Sequence, residues 1–133
     1  MTHRFDLRIY YEDTDLAGIV YYANYLKFIE RGRSEWIAAL GVDQMALQRD
    51  AGVVFAVRRV VADYLKSAHF GENLCVVSRL TGVAGARFEM AQQVLRGDEV
   101  LFTADVTCVC IGANGVATRI PAEIRRLLAQ DLV

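Results

Sequence analysis

Residues 24–41 read NYLKFIERGRSEWIAALG, and this stretch decides the fold class. Tyr25, Phe28, Ile29, Gly32, Trp36 and Leu40 fall on one stripe at a period near 3.6, while Lys27, Glu30, Arg31 and Ser34 lie away from it. That pattern predicts one long amphipathic helix, closed by Gly41. Gly32, in mid-helix, costs about 1 kcal/mol relative to alanine. Such a cost makes sense where the helix lies very close against another surface, and a sheet wrapped around it would supply one.

Working outward, the flanks read as strand. Phe5, Leu7 and Ile9 alternate with Asp6, Arg8 and Tyr10, which predicts a first strand ended by the acidic turn Glu12-Asp13-Thr14-Asp15. On the other side Asp43 caps a short second helix, running to about Asp50 and ended by Gly52. From Val53 onward β-branched and aromatic runs predict strands at about 53–65, 73–83, 87–96 and 99–111, with a short one near 116–119. Gly97-Asp98 suits a hairpin turn, Gly112-Ala113-Asn114-Gly115 marks another reversal, and Pro121 starts a final helical turn or two. The order is α+β: a long central helix covered by an antiparallel sheet of five or six strands. Val109 and Ile111 stand on the strand face opposite Cys108 and Cys110. Apolar groups on both faces imply that a sheet face or edge meets another subunit, so a homodimer or homotetramer is expected.

Composition narrows the function. The chain has 133 residues, 54% hydrophobic and 23% charged, which excludes an intrinsically disordered protein. No repeat or linker divides it, and residues 1–133 read as one domain. A net charge of −1, with no basic block longer than Arg58-Arg59 or Arg125-Arg126, leaves no electrostatic footprint for nucleic acid or an acidic membrane surface. No apolar run is long enough for a signal sequence or a membrane span, so the expected location is the cytoplasm, without stable membrane insertion. The three cysteines lack metal or redox spacing and read as small buried hydrophobes.

Several catalytic chemistries fail on spacing. Ser34, Ser67 and Ser78 have no nucleophile elbow, and His3 and His69 assemble neither a zinc site nor a triad. No glycine loop for phosphates is present. What remains is Glu12-Asp13-x-Asp15, between a strand end and a helix start. Carboxylates there are favoured by the helix dipole, so spacing alone reads them as a cap cluster.

The whole string Tyr11-Glu12-Asp13-Thr14-Asp15-Leu16-Ala17-Gly18-Ile19-Val20-Tyr21-Tyr22-Ala23-Asn24-Tyr25 closely resembles the signature of the hotdog-fold acyl-CoA thioesterases of the 4-hydroxybenzoyl-CoA thioesterase class. Within that class it looks most like the bacterial group encoded beside the Tol-Pal envelope system. The resemblance continues through 28–36 and 62–72, and so spans most of the chain. It implies a hotdog fold, agreeing with the pattern above, and hydrolysis of an acyl-CoA or acyl carrier protein thioester without a metal or organic cofactor. It assigns the catalytic carboxylate to Asp15 and the oxyanion donor to the backbone N–H of Tyr22, at a site between subunits. Asp15 would act either as general base on water or as nucleophile, and the sequence does not choose.

Further site residues follow with less specific signals. Gly18 lets the backbone turn tightly between carboxylate and helix, and Tyr21 lies beside the site. Arg59, Lys66 and Arg87, with Arg58, are cations of the kind that meet coenzyme A phosphates. Asp13 reads as a partner for backbone N–H groups or for Arg33. Two positions depart from the family pattern: Tyr22 stands where the envelope-linked group commonly has histidine, and Ser67 where it has proline. A phenol, with an unperturbed pKa of about 10, is no base near neutrality, whereas the 4-hydroxybenzoyl-type members carry tyrosine there and use the backbone amide. A non-hydrolytic acyl-binding or protein-interaction module linked to lipid synthesis or the cell envelope is the competing reading. A hotdog dehydratase would need a histidine that the Asp15 loop lacks.

Overall fold

The structure is a computed structural model describing residues 2–132. Strand β1 (His3–Arg8) leads through a short 3-10 turn (Tyr11–Asp13) into helix α1 (Asn24–Ala39) and the short α2 (Gln44–Ala51). Four strands follow, β2 (Val54–Tyr64), β3 (Asn73–Ala84), β4 (Arg87–Arg96) and β5 (Glu99–Ile111), and then α3 (Ala122–Ala129). They form one antiparallel sheet in the order β1-β3-β4-β5-β2.

The even-numbered residues from 74 to 80 in β3, 88 to 94 in β4 and 102 to 110 in β5, among them Val76, Met90, Val94 and Phe102, are buried on one face, where α1 lies with Phe28, Ile29 and Trp36. This is the hotdog arrangement, a long helix packed against a five-stranded sheet. The close approach that Gly32 implied is present. A Cβ on Gly32 would stand 2.5 Å from Val76 Cγ1 and 3.2 Å from Ser78 Oγ. Gly32→Ala should therefore destabilise: the gain of about 1 kcal/mol in helix propensity is opposed by an overpacking cost of about 1–3 kcal/mol. A melting temperature unchanged or raised in the alanine variant would show that β3 gives way more easily than this contact implies.

Beside Gly32 the interior is polar. Gln92, 1% exposed, donates from Nε2 to Ile29 O and Ser78 Oγ, both at 2.9 Å, and its Oε1 accepts from Arg33 Nη1 at 3.0 Å. Every polar atom of that side chain is thus satisfied without water, as burial requires. Arg33 turns to Gln92 and not to Asp13, and desolvation lowers its pKa from the ordinary guanidinium value.

Two expectations need correction. The short strand near 116–119 is a single bridge, Ile111 to Ala117, because the Gly112–Gly115 reversal returns the chain for only one pairing before α3 begins. Cys75 is half-buried on the outer sheet face, whereas Cys108 and Cys110 are buried under the helix, where desolvation pushes their thiols up. Strand β2 pairs only with β5, and Val57 and Val61 on it are 48% and 45% exposed. Among the described residues no helix is long and apolar enough to cross a membrane.

Candidate active site

The segment between β1 and α1 is built by its own hydrogen bonds. Asp13 Oδ2 accepts from Tyr10 N at 2.8 Å, and Thr14 Oγ1 donates to Tyr11 O at 2.8 Å, closing the 3-10 turn. The chain then reverses: Gly18 N donates to Asp15 O at 3.0 Å and Asp15 N to Ile19 O at 2.9 Å, with Gly18 at φ +81°. A side chain rarely adopts that conformation, which is why glycine stands there. Asp15 Oδ1 accepts from Ala17 N at 2.9 Å, fixing the carboxylate over the turn. Its Oδ2 has no partner among the described residues, and the residue is exposed.

Helix α1 starts with its end open. Tyr21 N is taken by Asp13 O at 2.9 Å, but the Tyr22 N–H has no partner among the described residues. The first turn carries no acidic residue and Ala23 at the cap offers no side-chain acceptor, so the dipole there is not offset from within. Tyr22 is held from the other side. The Tyr64 hydroxyl donates to Tyr22 O at 3.0 Å, with the two rings edge to face at 6.1 Å. Tyr21 packs its ring 5.0 Å from that of Tyr22.

Two open clefts flank this loop. One, of about 470 Å³, is lined by Tyr11, Thr14, Asp15, Leu16, Gly18 and Phe70. The other, of about 200 Å³, holds Tyr22, Tyr25, Tyr64 and Lys66 along its wall. Within one protomer Asp15 and Tyr22 therefore line neighbouring clefts and not a single one.

Residues 65–72 form the second wall. Arg96, at the end of β4, donates from Nη1 to Ser67 O and to both Glu72 oxygens at 2.9–3.1 Å, and from Nη2 to Glu99 Oε1 at 2.5 Å. Lys66 Nζ meets Glu99 Oε2 at 2.6 Å. Burial alone would raise the Glu72 pKa, but the His69 amide and the Arg96 guanidinium outweigh it and hold the carboxyl below its usual range. Lys66 and then Arg96 do the same for Glu99. Carboxyls depressed in the folded state contribute stability above their unfolded pKa, about 4.3, and lose it as pH falls through the folded values. Wild type should therefore melt above Glu72→Gln near neutrality, and the gap should begin to close as pH falls below about 4.3 and go on closing as it passes through the lowered folded value. A gap that persists unchanged at pH 3 would show that Glu72 contributes by packing alone.

The cations divide. Lys66 lines the cleft beside Tyr22 but is engaged by Glu99. Arg59 is exposed on the outer sheet face opposite Thr107, with Arg58 exposed beside it. Arg87 lies at the end of β4 remote from Arg96, 3.8 Å from Glu89. Neither Arg59 nor Arg87 reaches the Asp15 loop in this protomer. Among the described residues no His, Cys, Asp and Glu group is placed to hold a metal ion. Sequence reasoning gives neither Tyr64 nor Arg96 a role; the signal for Tyr64 is its place in the 62–72 segment, and Arg96 has none.

A long helix covered by a five-stranded antiparallel sheet is the hotdog fold. Residues 10–128 match the thioesterase-like superfamily, and the chain belongs to that family of thioester hydrolases. Over 107 residues, 80% of this chain and 79% of the relative, it is 36% identical to the acyl-CoA thioesterase YbgC of Haemophilus influenzae. A solved structure of a probable thioesterase from Bartonella henselae is also 36% identical, with a TM-score of 0.86 over 91% of this chain and 100% of that one. The fold alone is shared with 4-hydroxybenzoyl-CoA thioesterase, solved as an aspartate-to-asparagine mutant in complex with 4-hydroxybenzoyl-CoA: 20% identity and a TM-score of 0.88, over 96% of this chain and 98% of that one.

Proposed function

We propose that the chain hydrolyses acyl-CoA or acyl carrier protein thioesters to free acid and thiol, with Asp15 as the reacting carboxylate and the Tyr22 N–H as oxyanion donor. The observation that carries this reading is one loop presenting both groups: a carboxylate oriented through one oxygen with the other open, and, past the Gly18 turn, an unbonded amide at a helix start. A thioester carbonyl placed at that amide gains stabilisation as charge develops on its oxygen. Asp15 takes a proton from water, whose oxygen adds to the carbonyl carbon. Collapse breaks the C–S bond, and the thiolate leaves and is protonated. In the nucleophilic variant Asp15 itself adds, the C–S bond breaks to give a mixed anhydride, and water opens it. Neither route draws on a metal or organic cofactor. In this reading the work is done in the bacterial cytoplasm, where coenzyme A esters are found, and the bacterial origin of the relatives supports it.

The site belongs to a homodimer or homotetramer in this reading, with Gly18, Tyr21 and Lys66 on the substrate side and Arg59 and Arg87 offered to coenzyme A phosphates across subunits. Support comes from the separate clefts of Asp15 and Tyr22, and from the open, apolar edge of β2. Specific activity should fall on dilution in step with dissociation measured by sedimentation. Full activity in a sample shown to be monomeric removes the shared site.

The function is tested by following loss of thioester absorbance on a panel of short, long and aromatic acyl-CoAs with wild type and Asp15→Asn. Turnover that depends on Asp15 is the expected result. Absence of turnover on every coenzyme A ester by a well-folded oligomer would leave the carrier-protein thioester or the non-hydrolytic module in its place.

A further inference from the structure

All of Arg96's hydrogen bonds go to the wall of the site or to the carboxylate that neighbours it. Its Nη1 reaches Ser67 O at 3.1 Å, where the 67–72 segment begins, and Glu72 at 2.9 and 3.1 Å, where it ends. Glu99, which also engages Lys66, holds the other side of the guanidinium. Glu72 Oε1 in turn accepts the His69 N–H at 2.6 Å. One guanidinium nitrogen, Nη1, thus ties both ends of a six-residue segment while Nε and Nη2 stay fixed on Glu99, an arrangement that a lysine ammonium, with no second and third nitrogen, cannot reproduce in full.

The candidate catalytic loop hangs on that same segment from both directions. Ahead of the loop, Ile9 N donates to Glu72 O and Gly71 N to Ile9 O, both at 2.9 Å. Behind it, Val20 N donates to Ala68 O at 2.9 Å and Ile19 pairs with His69. Asp15 N is bonded to Ile19 O, one step further along. Phe70, at the tip of the segment, faces Asp15 across their cleft and meets the Tyr11 ring edge-on at 6.4 Å. Exposed ion pairs usually contribute little. This one differs because it is a network in which two of the three acceptor residues, Ser67 and Glu72, belong to the support of a single loop and the third, Glu99, fixes the guanidinium.

We propose that Arg96 is a positioning residue for thioester hydrolysis: by clamping Ser67 and Glu72 it sets the segment on which the Asp15 loop rests. The inference depends on the assignment of Asp15 made above. Misplacing reacting groups by about 1 Å costs up to a hundredfold in rate, so a released clamp acts on kcat more than on substrate binding.

The test compares wild type, Arg96→Met and Arg96→Lys by two readouts: kcat and KM on an acyl-CoA that wild type hydrolyses, and amide exchange at Val20 and Asp15. In Arg96→Met, kcat should fall about ten- to a hundredfold with KM changed by less than about threefold, and the Val20 amide should exchange at least about tenfold faster. Arg96→Lys, which keeps the charge but not the fork, should recover part of both losses and remains folded should the methionine variant not. Unchanged exchange in both variants overturns the proposal whatever the kinetics. So does kcat within twofold of wild type in a folded Arg96→Met, or a loss carried wholly by KM. Wild type that shows no Asp15-dependent turnover overturns instead the assignment of the site, and the exchange rates, which need no turnover, tell the two failures apart.

Discussion

Asp15→Asn is expected to lose about 10²- to 10⁴-fold in kcat on acyl-CoA, the range that removal of a positioned base or acid produces, while melting as wild type does. The substitution is nearly isosteric. An asparagine Oδ1 can still accept the Ala17 N–H, so the turn that ends in Gly18 keeps its hydrogen bond. What disappears is the charge and the basicity of the second oxygen, the one without a partner in the structure. Because the residue is exposed, no cavity or buried unpaired group is created to confuse stability with chemistry. The helix start is untouched, so the amide of Tyr22 remains to stabilise the oxyanion and some residual rate should survive. Steady-state kinetics on matched preparations, with melting curves as control, decide the matter. Equal turnover in the asparagine variant would move the reacting group elsewhere.

The largest effect on stability is expected from Trp36→Ala, about 3–5 kcal/mol, as for other buried aromatic truncations. Trp36 is 2% exposed, packs its ring 5.6 Å from that of Phe88, and donates from Nε1 to Asp131 Oδ2 at 2.9 Å. The loss is therefore double: a void between α1 and β4, and a released tether on the C-terminal segment that follows α3. For a domain of this size such a change lowers the melting temperature by roughly 10 °C or more. Trp36→Phe goes part of the way to separating the two, since it keeps a six-membered ring in the core while removing the N–H and the rest of the indole; its cost should be at least about 1.5–3 kcal/mol, the range for a hydrogen bond to a charged group, and below that of the alanine variant. A drop below about 1 kcal/mol in the alanine variant would show that the core closes over the gap.

What the sequence determined by itself is what depends on local periodicity and on backbone permission. The 3.6 stripe of residues 24–41 becomes α1, Asn24–Ala39, because an apolar stripe on a helix has to find a surface. Gly32 announced how close that surface would be, and Val76 is where it lies. Gly18 and the acidic string marked the turn that presents Asp15, since only glycine fits there without strain. Strand limits were legible to within a residue or two for the same reason, while residues 116–119 were not, because one bridge and a full strand share the same composition.

Tertiary structure alone decided which distant groups meet. Nothing near Gln92 in sequence shows that it will be buried beneath α1 with every polar atom paired. Tyr64 and Arg96 look like ordinary members of strand ends, yet one fixes Tyr22 and the other clamps the wall beside Asp15, across 42 and 24 to 29 residues of chain. Lys66 reads as a free cation until β5 brings Glu99 against it. The physical reason is that strand register and sheet order set these meetings. Register is the outcome of packing a whole face at once, so a residue's partner across the sheet is written in no stretch short enough to read alone.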